Sequence, residues 1–272
     1  MERQTVYCDM DGTLLDDENR VDKLLKKLMP AIEQADIHIG IATGRLDYMV
    51  YGYQQELGLT MPIISCNGAL IREYGQKEPL FASYMPIEKI EQIIAILQKE
   101  ELDFHLYLPK GVSGLTDTNR IAYFRELNKS LTPRNQIPLF IGPSIMQKKE
   151  LTEVLKILVI IPDEQKLERM RVELQDPKLT IVSSATGLLD IMARGNTKGH
   201  ALEQLQKMGR LDLAQTLAFG DNENDIEMLE VAKTGIAMAN AKTEVIAMAD
   251  EQTASNTENG VGVYMKELLK RY

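Results

Sequence analysis

Two carboxylates near the start of the chain have a spacing that suits metal and phosphate chemistry. Asp9 and Asp11 follow a short apolar run at residues 6–8, and Gly12 and Thr13 come directly after them. Side chains alternate faces along a strand, so residues at i and i+2 lie on one side. Gly12 then lets the backbone leave the strand in a conformation that other residues resist. The pair can bind a hard cation such as Mg²⁺ or supply a nucleophile and a proton donor, although the same residues also form ordinary solvated turns.

Three further stretches place polar groups where a predicted strand ends or a predicted helix begins. Thr43 and Gly44 precede a predicted helix, whose N-terminus favours a phosphate oxygen, although Thr43 also suits an N-cap. Lys198 begins another helix against the preference of the helix dipole, which indicates an anionic partner unless this lysine is simply solvated. Residues 220–225 contain three acids and two amides, which can be metal ligands or an acidic helix start.

Hydrophobic periodicity at both ends of the chain predicts alternating strands and helices. The predicted strands are residues 6–8, 37–42, 62–66, 217–219, 235–238 and 252–254. The predicted helices are residues 14–35, 46–57, 198–208, 226–232, 243–249 and 263–269. This order is typical of a parallel sheet with helices on its faces, in which ligands bind at the carboxyl ends of the strands.

The middle of the chain has a different rhythm. A hairpin at residues 69–81 is followed by a region with its own strands and helices. The helices are predicted at 87–98, 121–131 and 164–174, and the strands at 104–108, 155–161, 179–183 and 188–192, with a proline-containing loop at 132–144. We therefore predict an α/β protein with a Rossmann-like parallel sheet core, helices on both faces and an inserted α+β domain. The predicted core is 1–83 and 187–272, and the insertion is 84–186.

Composition limits the classes of partner. The 272 residues are 44% hydrophobic and 26% charged, which predicts a globular protein of one large or two smaller domains. No apolar run reaches the length of a membrane span, and residues 1–5 lead almost directly into a strand, so we expect no signal peptide and a cytoplasmic location. A net charge of −9 without a basic cluster disfavours nucleic acid. Cys8 and Cys66 lie in apolar runs and are predicted to be buried free thiols.

Taken in order, the four polar stretches resemble the haloacid dehalogenase superfamily of phosphohydrolases. Residues 9–15 match its first motif, D-x-D-G-T-L, and Thr43, Lys198 and residues 220–225 match the second, third and fourth. The insertion between the second and third motifs and the sequence of residues 65–69 resemble the Cof-type subfamily. The resemblance spans both ends of the chain, whereas the insertion, which would be a cap over the site, matches by position and element order more than by sequence.

The resemblance implies a role for each acid. Asp9 is expected to attack phosphorus and form an aspartyl-phosphate, and Asp11 to protonate the leaving oxygen and then activate water. Mg²⁺ is expected to be held by the Asp9 carboxylate, the Asp11 backbone carbonyl and Asp221, with Asp225 in support. The groups expected to bind the phosphoryl oxygens are Met10, Thr43, Gly44, Lys198 and Asn224. Arg45 and Asn67 are expected beside the site, where they can contact substrate.

The resulting hypothesis is a Mg²⁺-dependent phosphatase that acts on small phosphorylated metabolites, with sugar phosphates favoured. Two alternatives stay open at this point. One is a phosphotransferase or mutase of the same superfamily, and the other is a sensor that binds a phosphorylated ligand without catalysis. The intact Asp9, Asp11, Lys198 and Asp221 argue against a sensor, because a pure binder has little need of an acid that moves protons.

Overall fold

The structure is a computed structural model that describes residues 4–272, apart from the side chains at 184 and 185. Residues 1–3, on which the predicted lack of a signal peptide partly rests, lie outside this range. The strands are β1 (Gln4–Cys8), β2 (Ile37–Ile41), β3 (Ile63–Ser65), β4 (Leu70–Arg72), β5 (Phe81–Ala82), β6 (Asp103–Leu108), β7 (Gly111–Gly114), β8 (Leu139–Ile141), β9 (Lys156–Ile160), β10 (Leu179–Ala185), β11 (Leu188–Ala193), β12 (Thr216–Gly220), β13 (Thr234–Ala237) and β14 (Glu251–Gln252). The α-helices are α1 (Lys23–Gln34), α2 (Tyr51–Leu57), α3 (Ile87–Lys99), α4 (Asn119–Asn128), α5 (Lys148–Leu151), α6 (Glu164–Glu173), α7 (Lys198–Lys207), α8 (Ile226–Val231), α9 (Thr243–Met248) and α10 (Gly260–Leu268).

Both ends of the chain form one parallel sheet of five strands, in the order β14-β13-β12-β1-β2. Val6 and Cys8 of β1 pack in the same core cluster as residues of α1 and α10. Tyr7, which alternates to the other face, packs with residues of α7, α8 and α9. The central strand is apolar because both of its faces are covered. The predicted α/β core with helices on both faces is confirmed.

The carboxyl ends of the three central strands meet at one edge of this sheet. Asp9 follows β1, Thr43 comes shortly after β2, and Asp221 follows β12. Because β12, β1 and β2 are neighbours in parallel, stretches that are far apart in sequence are brought together there. The fold therefore explains how separate motifs can form one site.

A second sheet of six strands, in the order β10-β11-β9-β6-β7-β8, lies within the middle of the chain. Residues of α3 and α6 pack against one of its faces, and residues of α4 pack in a cluster that also contains Leu46 and Leu70 from the first part of the chain. We call this sheet with α3–α6 the cap. Its α4 face is directed towards the core.

The predicted domain boundary at residue 187 is wrong by one strand. β11 pairs antiparallel with β9 and with β10, so it belongs to the second sheet. The apolar pattern of residues 188–192 predicts a strand but not its partner, because pairing is decided by non-local contacts. We propose that the cap extends to about residue 193.

Several local predictions were also wrong. The helix predicted from residue 14 begins only at Lys23, where the Asp22 carboxylate caps it by accepting from the Leu25 N–H at 2.7 Å. The segment predicted as one helix over 46–57 is a short 3₁₀ helix at Asp47–Met49 followed by α2. β3 joins the first sheet only through an isolated bridge between Ala42 and Ile64, and pairs instead with β4.

Both cysteines are buried and free, as predicted, and burial raises the pKa of Cys66 to about 12.

Candidate active site

Lys198 connects two buried carboxylates at the carboxyl edge of the first sheet. Its Nζ donates to Asp9 Oδ1 at 2.5 Å and to Asp225 Oδ1 at 2.6 Å, and the lysine side chain is fully buried. α7 starts here because Thr197 Oγ1 accepts from the His200 N–H at 3.0 Å. The unfavourable position of a cation at a helix start is therefore offset by two anionic partners. The alternative of a solvated surface lysine is wrong.

Asp221 is held beside this pair by the turn that follows β1. Thr13 Oγ1 donates to Asp221 Oδ1 at 2.7 Å. Gly12 has a φ of +86°, and a Cβ added to it would lie 2.5 Å from Asp221 Oδ2. Glycine is therefore needed both for the backbone conformation and for the close approach of the carboxylate. The role of Thr13 was missed, and only the threonine of the D-x-D-G-T motif hinted at it.

Residues 220–225 were interpreted either as metal ligands or as an acidic helix start, and Asp225 has features of both. Its Oδ2 accepts from the backbone N–H groups of Asp221 and Asn222, each at 3.0 Å, and these bonds fix the turn before α8. Its Oδ1 accepts from Lys198. Because both oxygens are occupied, Asp225 positions the lysine and the Asp221 loop, and its supporting role in catalysis stays a prediction.

The three carboxylates create an excess of negative charge. Oxygen atoms of Asp9, Asp221 and Asp225 lie within 4.8 Å of one another. Burial, with the charges of Asp225 and Asp221, raises the pKa of Asp9 well above its ordinary value, and Lys198 only partly opposes this. Burial and the charge of Asp225 raise the pKa of Asp221 to about 7. Burial disfavours the charged form of Lys198, but Asp225 and Asp9 outweigh it and raise the pKa of the lysine.

The donor set fits a hard divalent cation. Asp9 Oδ2 and Asp221 Oδ2 accept no hydrogen bond from any residue that the structure describes, whereas their Oδ1 atoms are held by Lys198 and Thr13. Carboxylate oxygens are the ligands that Mg²⁺ prefers, and a cation would lower the raised pKa values. Asp9 and Asp221 are thus the side chains best placed to hold the ion. A contribution from the Asp11 carbonyl stays a prediction.

The Asp11 side chain lies apart from this cluster and pairs with Arg45. It is half-exposed, and Arg45 Nε donates to its Oδ2 at 2.8 Å while Nη2 donates to its Oδ1. Arg45 Nη2 also donates to Asn19 Oδ1 at 2.8 Å. Because Arg45 holds both carboxylate oxygens of Asp11, this bidentate pair must open before Asp11 can contact a substrate oxygen.

Thr43 does not cap a helix, so that interpretation is wrong. Its Oγ1 accepts from the Arg45 N–H at 3.1 Å and shapes the loop after β2. Asn67 lies close by, because its N–H donates to the Thr43 carbonyl at 2.9 Å. Asn224 Nδ2 donates to Asn67 Oδ1 at 2.9 Å. The structure thus brings the loops that carry Thr43, Asn67 and Asn224 together through direct hydrogen bonds.

Two cap residues that the sequence analysis missed reach these loops. Lys156 Nζ donates to the Gly44 carbonyl at 2.6 Å and lies 2.9 Å from Asp190 Oδ1, and both side chains are buried. Asp190 Oδ2 accepts from Asn67 Nδ2 at 3.0 Å. A charged residue in a strand that is otherwise apolar was the available signal, because such a residue is buried only with a partner.

Comparison with known proteins identifies the family. Residues 6–265 match the family model of haloacid dehalogenase-like hydrolases. The chain belongs to this family. It is 30% identical over 97% of both chains to the putative phosphatase YxeH of Bacillus subtilis, and 27% identical to the pyridoxal phosphate phosphatase YbhA of Escherichia coli over 97% of this chain and 98% of that protein.

The structural comparison agrees. The solved structure of the subclass IIB sugar phosphatase BT4131 superimposes with a TM-score of 0.80 at 25% identity, covering 97% of this chain and 98% of that one. The predicted Cof-type resemblance and the prediction of a phosphatase are confirmed. Within residues 4–272, every helix is too short or too polar to cross a lipid bilayer.

Proposed function

We propose that this chain is a Mg²⁺-dependent phosphatase that hydrolyses small phosphorylated metabolites through an aspartyl-phosphate on Asp9. The observation that carries the proposal is the buried Asp9 carboxylate, which Lys198 fixes beside Asp221 and Asp225. Phosphoryl transfer depends on positioning and on cancelling charge. A cluster with one fixed cation and oxygens free for a second cation suits that chemistry. Bound Mg²⁺ would supply a Lewis acid that neutralises the transferring group.

The proposed roles of the side chains are those that the family resemblance implies, and the buried contact between Lys198 and Asp9 supports them. Asp9 attacks phosphorus, the bond to the leaving oxygen breaks, and Asp11 gives that oxygen a proton. Water then attacks the phosphorus of the aspartyl-phosphate, Asp11 takes the proton from the water, and the Asp9 carboxylate is regenerated with inorganic phosphate. Lys198 keeps the nucleophile in place and offsets charge that develops on the phosphoryl oxygens. Thr43, Gly44, Asn224 and the Met10 backbone stay predicted phosphate contacts.

The nature of the relatives supports hydrolysis of small molecules. Proteins similar to the chain are named as phosphatases of pyridoxal phosphate and of sugars. Sugar phosphates are the class that the sequence predicts, and a cytoplasmic location stays a prediction. Transfer to a second sugar hydroxyl stays an alternative.

The first test is phosphate release from a panel of phosphorylated metabolites, with Mg²⁺ and with EDTA. Wild type should release phosphate only with Mg²⁺, and Asp9→Asn should abolish turnover while the melting temperature stays close to wild type. Asp36→Asn is the matched control, because Asp36 is exposed at the amino end of β2 and has a φ that asparagine tolerates. Substantial release by Asp9→Asn would disprove the covalent route.

A further inference from the structure

A cavity of about 680 Å³ leads from the acids at the sheet edge to the cap. Its lining includes Asp9 and Asp11 on the core side and residues of β6, α4 and β9 on the cap side. A phosphate ester held at Asp9 must therefore place its leaving group in this space. The chemistry of the cap wall, which the proposed function does not explain, limits what that leaving group can be.

The cavity lining is unusually aromatic. Of the 10 tyrosines and 5 phenylalanines in the chain, five line it, Tyr48 and Tyr53 from the core side and Tyr107, Tyr123 and Phe124 from the cap side. Four leucines complete the apolar part of the cap wall, and no carboxylate from the described residues of the cap lines it. A hexose presents several hydroxyl groups that need acceptors as well as donors. Among its described residues, the cap adds Asn135 as the one amide side chain of the lining, beside the cations Arg120 and Lys156, and the rest of the cap wall is rings and leucines.

Tyr123 offers ring surface to a flat ligand. Phe124 is buried, whereas Tyr123 is 58% exposed, although both line the cavity. Their ring centroids are 5.5 Å apart with a tilt of 60°. The exposed Tyr123 ring therefore has surface open to the cavity, whereas Phe124 lies beneath it, and aromatic rings pack well against other rings.

Arg120 is a cation on the same helix that lacks an anionic partner. It lines the cavity and makes no ion pair with any residue in the described part of the chain. Its Nε is buried without a hydrogen-bond partner, and its guanidinium carbon lies 5.5 Å from the Phe124 ring centroid. Lys156, the other cap cation in the cavity, is already paired with Asp190. A guanidinium that lines a cavity without an anionic partner among the described residues favours a ligand oxygen that can accept from it.

We propose that the leaving group is a planar heteroaromatic ring with an anionic or carbonyl oxygen substituent. The ring packs against Tyr123, and the substituent accepts from Arg120. This inference rests on the proposed phosphatase activity and names its substrate class. It ranks phosphate esters with a heteroaromatic leaving group above the sugar phosphates that the sequence favours as substrates.

The test uses three phosphate esters with Mg²⁺. Pyridoxal 5′-phosphate has a heteroaromatic ring with oxygen substituents, phenyl phosphate has a ring without them, and glucose 6-phosphate has no ring of this kind. We expect kcat/KM for pyridoxal 5′-phosphate to exceed that for glucose 6-phosphate at least about tenfold, which corresponds to one good polar or packing contact. Each ester is measured with wild type, with Arg120→Gln and with Tyr123→Ser.

The variants separate the two contacts. Arg120→Gln should lower kcat/KM for pyridoxal 5′-phosphate about tenfold and leave phenyl phosphate nearly unchanged. Tyr123→Ser should lower both ring esters and spare glucose 6-phosphate. Arg125→Gln, on the same helix but outside the cavity lining, and Tyr84→Ser, at an exposed tyrosine outside it, are the matched controls and should change none of the three.

Two sets of results would contradict these expectations, and they can be told apart. Equal or higher kcat/KM for glucose 6-phosphate, or the same loss for all three esters in Arg120→Gln, would overturn the assignment of the leaving group while the phosphatase activity stands. A lack of any Mg²⁺- and Asp9-dependent release from all three esters would overturn the proposed function, and the inference with it.

Discussion

Replacing Lys198 by methionine removes the cation that holds two buried carboxylates together. Methionine keeps most of the side-chain volume, so the change is mainly one of charge. Lys198 Nζ lies 2.5 Å from Asp9 Oδ1 and 2.6 Å from Asp225 Oδ1, and removing one partner of a buried pair costs about 3–5 kcal/mol. For a chain of this size, that loss lowers the melting temperature by roughly 6–20 °C. We also expect kcat to fall about 10²- to 10³-fold, as when one transition-state donor is lost.

The pH dependence makes this prediction specific. Burial and neighbouring acids raise the folded-state pKa of Asp9 above its unfolded value, so its ionised form costs stability at high pH. This cost shrinks as pH falls below the folded pKa and is gone below the unfolded pKa. Lys198 opposes that cost in the wild type. The difference in unfolding free energy between wild type and Lys198→Met should therefore be largest near pH 8 and smaller near pH 5.

Urea unfolding at both pH values, together with phosphate release, checks the prediction. Lys207→Met is the control, because it removes an exposed lysine from the last turn of the same helix. A loss of less than about 1 kcal/mol at pH 8, or an equal loss at pH 5, would refute the electrostatic reasoning. A loss of stability with unchanged kcat would mean that Lys198 is only structural.

Three further predictions concern the turn, the metal and the cap. Gly12→Ala should displace Asp221 and weaken activation by Mg²⁺ about tenfold in an activity titration. Gly209→Ala is the comparison, because Gly209 has a φ of +68° and open space around it. It should lower the free energy of unfolding by only about 1–2 kcal/mol in a melting experiment. The pKa of Asp221 is raised to about 7, so its ionisation destabilises the metal-free fold above the unfolded pKa. Because Mg²⁺ binds the ionised carboxylate, its affinity should fall up to about tenfold per pH unit below pH 7. Calorimetry in two buffers near pH 6.5 should detect the protons that binding releases. Lys156→Met leaves Asp190 without its cation, so the free energy of unfolding measured in urea should fall by about 3–5 kcal/mol. Adding Asp190→Leu should recover much of that loss. Losses that simply add in the double variant would contradict this prediction.

The sequence by itself determined which chemistry the site can perform. The i, i+2 spacing of Asp9 and Asp11 after an apolar strand, and the run of acids at residues 220–225, are local features. The order of strands and helices requires parallel neighbours, so the carboxyl ends that carry these acids had to lie at one edge. The position of Lys198 at a helix start indicated an anionic partner, although a solvated lysine stayed open until the structure placed it between Asp9 and Asp225.

Only the tertiary structure decided which groups touch. Thr13 holds Asp221 across 208 positions in the sequence, and Arg45 pairs with Asp11 instead of pointing freely into the cavity. Lys156 and Asp190 were hidden inside apolar strands whose partners could not be deduced, just as β11 could not be assigned to its sheet. Local spacing fixes what a segment can become, whereas strand pairing and the burial of charges depend on contacts between segments that the chain brings together only when it folds.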